Sequence, residues 1–536
     1  MQALSSKEIE QTLERLGALL ERALAHSRGK DIDEQQVAVA RLADAATRHR
    51  AARDLLAYAV GDGARVPLYL EQAGVFTGHV ASQCAQLARE YGEDHGLTPQ
   101  SVTPEDDAFA REALSDERIR AIGREVAAAR GRNESPLEEV LDLTRQAVRA
   151  FGESEIAPHA ERIHRRDETI PEEFLQKMGE LAYFGLSIPE VYGGSEMGNV
   201  AMVITTEELS RVSLAAAGSL ITRPEILAKA LLSGGTEAQK QRWLPRIATG
   251  ELMVGISATE PDFGSDVASF KCRATPATVD GVAGYSISGA KAWCTFAGRA
   301  DILAVLCRTD PDPAKGQRGL SMFVVPKERS RGHEFECVQP HGGRLVGKAD
   351  ATPGYRGMHS FTLNFESYFV PADHLIGEQA GLGRGFYLQM AGFAAGRLQT
   401  GGRACGIAQA ALERSAEYVN DRKQFGQSLI EFQLTQHKLG WMATQLAASR
   451  AITYSAAAAM DQDERAAAPY ASQAKLLACR AAVAITQEGQ LLHGGWGYAE
   501  EYAISRYVVD AQVLPIFEGV EPILQLKVIG RALLGG

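Results

Sequence analysis

Few side chains in this sequence stand in a pattern that points to chemistry unaided. Gly381, Gly383 and Gly385 form a glycine-rich run that could cradle a phosphate. No strand leads into it within a βαβ unit, so it reads as a flexible loop and not as a dinucleotide fingerprint. His493, beside Gly494-Gly495, has the chemistry of an acid or base, but a turn-packing histidine is the better expectation. Glu518-Gly519, taken alone, reads as the acid of a solvated turn. There is no P-loop, no H-E-x-x-H and no G-x-S-x-G. The 12 histidines show no metal spacing, and no metal is expected. The seven cysteines, Cys84, Cys272, Cys294, Cys307, Cys337, Cys405 and Cys479, form no C-x-x-C and suit packing in a reducing compartment.

The elements that must position such groups change character along the 536 residues, a length that implies several domains. Residues 1–130 are rich in Ala, Leu, Arg and Glu. Ile9, Leu13, Leu16, Leu20 and Leu24 recur at helical spacing behind a Ser5/Glu8 capping box. Further helices are expected near 36–60, 76–92 and 104–130, punctuated by Gly61, Gly63 and Pro67, and residues 131–136 read as a linker. Residues 137–255 are again helical. Between 256 and 370, strands are expected at 285–289, 302–307, 320–325 and 361–365, and helices return from about 385, where Leu439, Met442 and Leu446 mark a core stripe. Segregated blocks imply an α+β protein and not an alternating α/β one.

A net charge of −11 argues against nucleic acid as a partner. No run of 18 apolar residues appears, so no membrane partner is expected. The N-terminus carries mixed charges and no secretory core, so a soluble cytoplasmic protein is the plain expectation.

Five segments, in order, resemble the acyl-CoA dehydrogenase family. They are Gly235-Thr236-Glu237 with Gln239 to Pro245, Thr259-Glu260-Pro261-Asp262-Phe263-Gly264-Ser265-Asp266, Lys291 to Thr295, Arg422-Lys423-Gln424-Phe425-Gly426, and Phe517-Glu518-Gly519. The resemblance spans about residues 137–536. It implies a helical domain at 137–255, a β-domain at 256–372 and a C-terminal four-helix bundle at 373–536, with residues 1–130 as an extra helical extension. It further implies FAD as cofactor, a homo-oligomer (dimer or tetramer), and oxidation of an acyl-CoA thioester to its 2,3-enoyl form with electrons passed to electron-transfer flavoprotein.

Removing the α-proton of a thioester needs a positioned base and a stabilised enolate oxygen. Glu518 sits where most of the family keeps that base. Burial would suit it by bringing its basicity towards neutrality. A subgroup takes the base from an earlier helix, where this chain has Gly396. By resemblance, Thr259 meets the flavin edge, Ser265 lies near the diphosphate and the substrate, Trp293 packs on the flavin face and Thr295 points at flavin N5. Arg422, Phe425 and Gln433 match residues that reach the FAD of a neighbouring subunit. Gly494 and Gly495 match the pair at the adenine end. Phe517, Gly519, Arg397 and Arg223 complete the expected substrate contacts. The adenine end departs from the family: Leu491 stands where Gln is usual, with Gln490 one residue earlier, and Val520 and Pro522 replace Thr and Gln.

The N-terminal extension and a segment from His341 to His359 resemble the branch of the family that converts (2S)-methylsuccinyl-CoA to mesaconyl-CoA in the ethylmalonyl-CoA pathway. A substrate with a free carboxylate needs a cationic partner in its pocket. Arg223 is the first candidate, ahead of Arg356 and His359. Two other readings share the fold: an acyl-CoA oxidase, or dehydrogenase of another short acyl-CoA, and a flavin-containing binding protein without catalysis.

Overall fold

The structure, a computed structural model, describes residues 4–535. It divides into two compact units. The first comprises the described parts of Met1–Ala150, Glu207–Val212 and Thr400–Gly536; the second comprises Phe151–Thr206 and Ser213–Gln399.

In the first unit, Ser5 and Glu8 close the expected capping box on the helix Ser6–Ser27, and its stripe Ile9, Leu13, Leu16, Leu20 and Leu24 is buried. Helices follow at Gln36–Val60, Leu68–Glu90, Pro104–Ala113 and Asp116–Ala128. Pro67 does not merely interrupt. It occupies the N-cap of Leu68–Glu90, so that helix begins eight residues before the expected start at 76. These helices share one core with the C-terminal ones. Gly123 and Gly440 show why: a Cβ on Gly123 would lie 1.8 Å from the Gln436 carbonyl oxygen, and one on Gly440 2.0 Å from that of Ile119. The helices Asp116–Ala128 and Gln433–Gln462 thus cross backbone to backbone. Arg120 and Arg124 both donate to the Gln436 side-chain oxygen, at 3.1 and 3.2 Å.

The segment 131–136 is no loose linker. Gln409 donates to the Gly131 carbonyl at 2.8 Å, and the Tyr69 and Tyr58 hydroxyls donate to the carbonyls of Glu134 and Pro136 at 3.1 and 2.9 Å.

A buried acid also joins the extension to the C-terminal helices. The Tyr470 hydroxyl donates to Asp54 at 2.5 Å, and burial pushes the Asp54 carboxyl up to about 6. The folded state holds this proton more tightly than the unfolded state does. The resulting stabilisation is complete below about pH 4 and is lost as the pH rises through 6. Asp54→Asn should therefore gain on the wild type between pH 4 and 7, by up to about 3 kcal/mol, in paired thermal melts at the two pH values.

The second unit is built on an eight-stranded sheet: β1 (Val254–Ser257), β2 (Arg273–Val279), β3 (Val282–Thr295), β4 (Ile302–Arg308), β5 (Leu320–Pro326), β6 (Glu334–Val338), β7 (Arg344–Ala349) and β8 (Ser360–Pro371). The order is β1-β4-β2-β3-β8-β7-β6, with β5 paired to β4. The four expected strands lie within β3, β4, β5 and β8. The unexpected ones are short or polar on one face: β6 reads E-F-E-C-V at the sheet's end, and β2 contains Pro276. The segment 341–359 supplies β7 and the irregular run that leads into β8.

The motif Gly235 to Pro245 proves structural. Thr236 and Gln239 form a capping box on the helix Glu237–Ala248. The Gln239 amide donates to the carbonyls of Asp373 and Leu375 at 2.8 and 2.7 Å and accepts from the Gly377 N–H at 2.9 Å. The glycine run is packed, not flexible: a Cβ on Gly381 would lie 1.8 Å from the Ile376 carbonyl oxygen, and the Gly383 N–H donates to the Ser321 hydroxyl at 3.0 Å. All seven cysteines are unpaired, six of them buried. Among the described residues, no helix is long and apolar enough to cross a membrane.

Candidate active site

In the second unit, four expected residues gather about the end of β3. The pairing of β3 with β8 slips between Lys291 and Cys294, and inside that bulge Trp293 adopts φ +58°. A left-handed tryptophan is an unusual, strained conformation, and it turns the indole outward, 58% exposed. Beyond the bulge the Thr295 hydroxyl shares a 2.9 Å hydrogen bond with that of Ser360. The Ala292 N–H donates to the Thr259 carbonyl at 2.9 Å, which seats the loop bearing Thr259 and the exposed Ser265 beside the bulge.

Sequence reading missed what fixes that loop. Lys291 and Glu260 are both buried and paired at 3.0 Å; Lys291 also donates to the Ala258 carbonyl, and Glu260 accepts the N–H groups of Lys271 and Cys272. Lys291→Met leaves a buried carboxylate without its cation, so thermal or chemical melts should record a loss of about 3–5 kcal/mol. Restoring neutrality with Glu260→Gln in the same chain should recover part of it.

In the first unit, Phe517, Glu518 and Gly519 form the turn before a short helix that opens at Glu521, with Val520 as its N-cap and Pro522 in its first turn. That start explains the departure at 520 and 522 as helix initiation. Glu518 has φ +57° and a side chain only 7% exposed. The Thr400 hydroxyl donates to its carboxylate, and Arg403 Nη2 lies 3.0 Å from both carboxylate oxygens. Lys475, itself buried, donates to the Gly519 carbonyl at 2.7 Å. The carboxylate is buried as expected, but in an ion pair and not against an apolar wall.

Arg422, Phe425, Gln433, Gly494 and Gly495 are also in the first unit, and all are exposed. Phe425, with φ +54° and 94% exposure, tops a tight hairpin. The histidine beside the glycine pair has the packing role expected of it: His493 is buried, stacks on Tyr418 at 4.3 Å, and contacts the Gly489 carbonyl. Gln490 is also structural, donating to the Gly497 carbonyl at 3.1 Å, while Leu491 is exposed.

The three candidates for a substrate carboxylate separate clearly. Arg356 donates to the Thr352 carbonyl and lies 3.8 Å from Asp167. His359 contacts Asp167 at 3.0 Å and the Gly357 carbonyl at 3.2 Å, and burial pulls its pKa down. Asp167, His333 and His359 form the one cluster of possible metal ligands among the described residues, and Arg356 already offers its cation to the same carboxylate. Arg223, on the helix Thr222–Gly234, is 6% exposed. Its guanidinium donates to the Ser219 carbonyl at 3.3 Å and faces the Tyr355 ring at 6.0 Å; among the described residues no carboxylate pairs with it. Arg397 is buried on the helix Gly385–Asp421.

An outward indole, a nearby hydroxyl and a rigid loop suit a flat, hydrogen-bonding ring system. The comparisons with known proteins agree. Family models for the acyl-CoA dehydrogenase N-terminal, middle and C-terminal domains match residues 138–251, 255–368 and 383–534. The chain belongs to the acyl-CoA dehydrogenase family and is an FAD-dependent enzyme that dehydrogenates acyl-CoA. A (2S)-methylsuccinyl-CoA dehydrogenase of Cereibacter sphaeroides is 41% identical over 400 residues, 75% of this chain and 70% of that one. Butyryl-CoA dehydrogenase from Megasphaera elsdenii matches with TM-score 0.67 at 29% identity, over 75% of this chain and 100% of its own. A glutaryl-CoA dehydrogenase from Mycobacterium smegmatis in complex with FADH2 matches with TM-score 0.64 at 26% identity, over 75% and 96%.

Proposed function

We propose that the substrate is a dicarboxylic thioester, (2S)-methylsuccinyl-CoA, and the product mesaconyl-CoA. The observation that carries this reading is Arg223, a buried guanidinium with no carboxylate partner among the described residues. A buried cation is stable when an anion completes it, and the free carboxylate of this substrate is such an anion. The 41% identity to a methylsuccinyl-CoA dehydrogenase supports the same choice.

In this reading Glu518 takes the α-proton, and its backbone N–H binds the thioester oxygen as negative charge develops there. Bound FAD supplies the acceptor for the β-hydride. Thr259, Ser265, Trp293 and Thr295 hold its ring and diphosphate. Gly494 and Gly495 serve the adenine end, and Arg422, Phe425 and Gln433 serve the cofactor of a neighbouring subunit in a homo-oligomer. Ser265, Arg397, Phe517 and Gly519 line the substrate. Electron-transfer flavoprotein collects the electrons.

Anaerobic flavin absorbance during titration with methylsuccinyl-, butyryl-, isovaleryl- and glutaryl-CoA tests the reading. Bleaching by the first is expected to be much the fastest, with butyryl-CoA a slow substrate. Bleaching by a monocarboxylic thioester alone would discard the dicarboxylic substrate. Aerobic turnover without an acceptor would mean an oxidase, and no bleaching by any thioester would mean a binding protein.

A further inference from the structure

We propose that Arg403, together with Thr400, is a positioning residue for the Glu518 carboxylate, holding it ionised and aimed as one arm of a buried ion pair. The inference rests on the reading of Glu518 as the base.

Thr400 and Arg403 are three residues apart on the helix Gly385–Asp421 and so share a face. Both bond the same carboxylate, and Arg403 Nη2 also donates to the Thr400 hydroxyl oxygen at 2.5 Å. The Arg403 side chain is fully buried, and its guanidinium lies 4.6 Å over the ring of Phe517, the residue before the base. That stacking fixes the cation sideways, and the bond from Lys475 to Gly519 fixes the backbone on the other side of Glu518. Among the described residues, the titratable groups about this turn besides Arg403 and Lys475 include Cys479, whose thiol burial pushes up to about 12, and Glu521, which is paired with Arg480. Cys479 therefore stays neutral, while Arg403 brings a full positive charge to 3.0 Å from both carboxylate oxygens.

The arrangement has a purpose that packing alone does not require. A base must wait ionised, and a lone buried carboxylate meets a large desolvation penalty. A guanidinium beside it holds the ionised form ready and aims it. Two glycines precede Arg403 and small residues follow it, so its charge has no role in the apolar stripe of its helix.

The test is the pH profile of kcat/KM, which reports ionisations of the free enzyme, measured with whichever acyl-CoA bleaches the flavin. Arg403→Met should move the acid limb up by about one pH unit, which lowers kcat/KM about tenfold at pH values below both limbs and leaves it unchanged well above them. Arg403→Lys should return the limb towards the wild-type position. Thr400→Val, a near-isosteric change expected to fold, should move it in the same direction by less. Wild-type limbs in both Arg403→Met and Thr400→Val would overturn the proposal; if Arg403→Met does not fold, an unshifted limb in Thr400→Val does so alone. Glu518→Gln is the control: should it retain turnover, the assignment of the base itself fails, which is a separate outcome.

Discussion

Glu518→Gln is expected to slow flavin reduction by about 10²–10⁴-fold, the range that a positioned general base contributes. The amide keeps the shape of the side chain but cannot accept the proton. The same change removes the anion from a buried pair whose cation, Arg403, has no exposure. A second readout therefore moves as well: the melting transition should fall, with a cost of about 3–5 kcal/mol for an uncompensated buried charge. Stopped-flow bleaching and thermal melts separate the two effects. An unchanged rate of bleaching would remove Glu518 from the chemistry.

Arg223→Met carries the second large effect. Truncating one partner of a buried charge pair costs about 2–5 kcal/mol, so kcat/KM for methylsuccinyl-CoA should fall about 30-fold or more. The loss should not extend to butyryl-CoA, which brings no carboxylate to Arg223, and methionine keeps the volume of the site. The ratio of the two efficiencies is the quantity to measure, since a merely misfolded pocket lowers both. Lysine is a poor substitute here, because a point charge lacks the planar fork that holds a carboxylate through two bonds. Parallel losses for both thioesters, or none, would move the carboxylate contact elsewhere.

Arg223 and Arg403 also mark how far side-chain identity alone carries. Arg403 is a cation in an otherwise small-residue helix run, Gly401 to Gly406, and Arg223 lies in the run Ile221 to Leu227, whose one acid is Glu225. That pattern is visible in one dimension and says that each charge needs a partner. Lys291 and Lys475 carry the same signal. None of the four runs says which carboxylate, if any, provides the partner.

Local rules determined much of the rest. The Ser5/Glu8 box, the stripe from Ile9 to Leu24 and the four long apolar strands follow from interactions within a few residues, so their order along the chain suffices to place them. The block order of helices, strands and helices, and with it the α+β class, follows from the same periodicities. The motif segments then pointed to a flavin-dependent acyl-CoA dehydrogenase.

Only the tertiary structure decided the long-range partners. Lys291 meets Glu260 across 31 residues, and Arg403 meets Glu518 across 115. The extension proved to be part of the C-terminal helical core because Gly123 and Gly440 let two backbones touch, a contact that no local pattern encodes. The outward turn of Trp293 likewise depends on β8 slipping against β3, a matter of register between strands and not of the residues in either one. Sequence periodicity reports which face of an element is apolar; which charge is buried against which depends on chain segments that meet only in the folded protein.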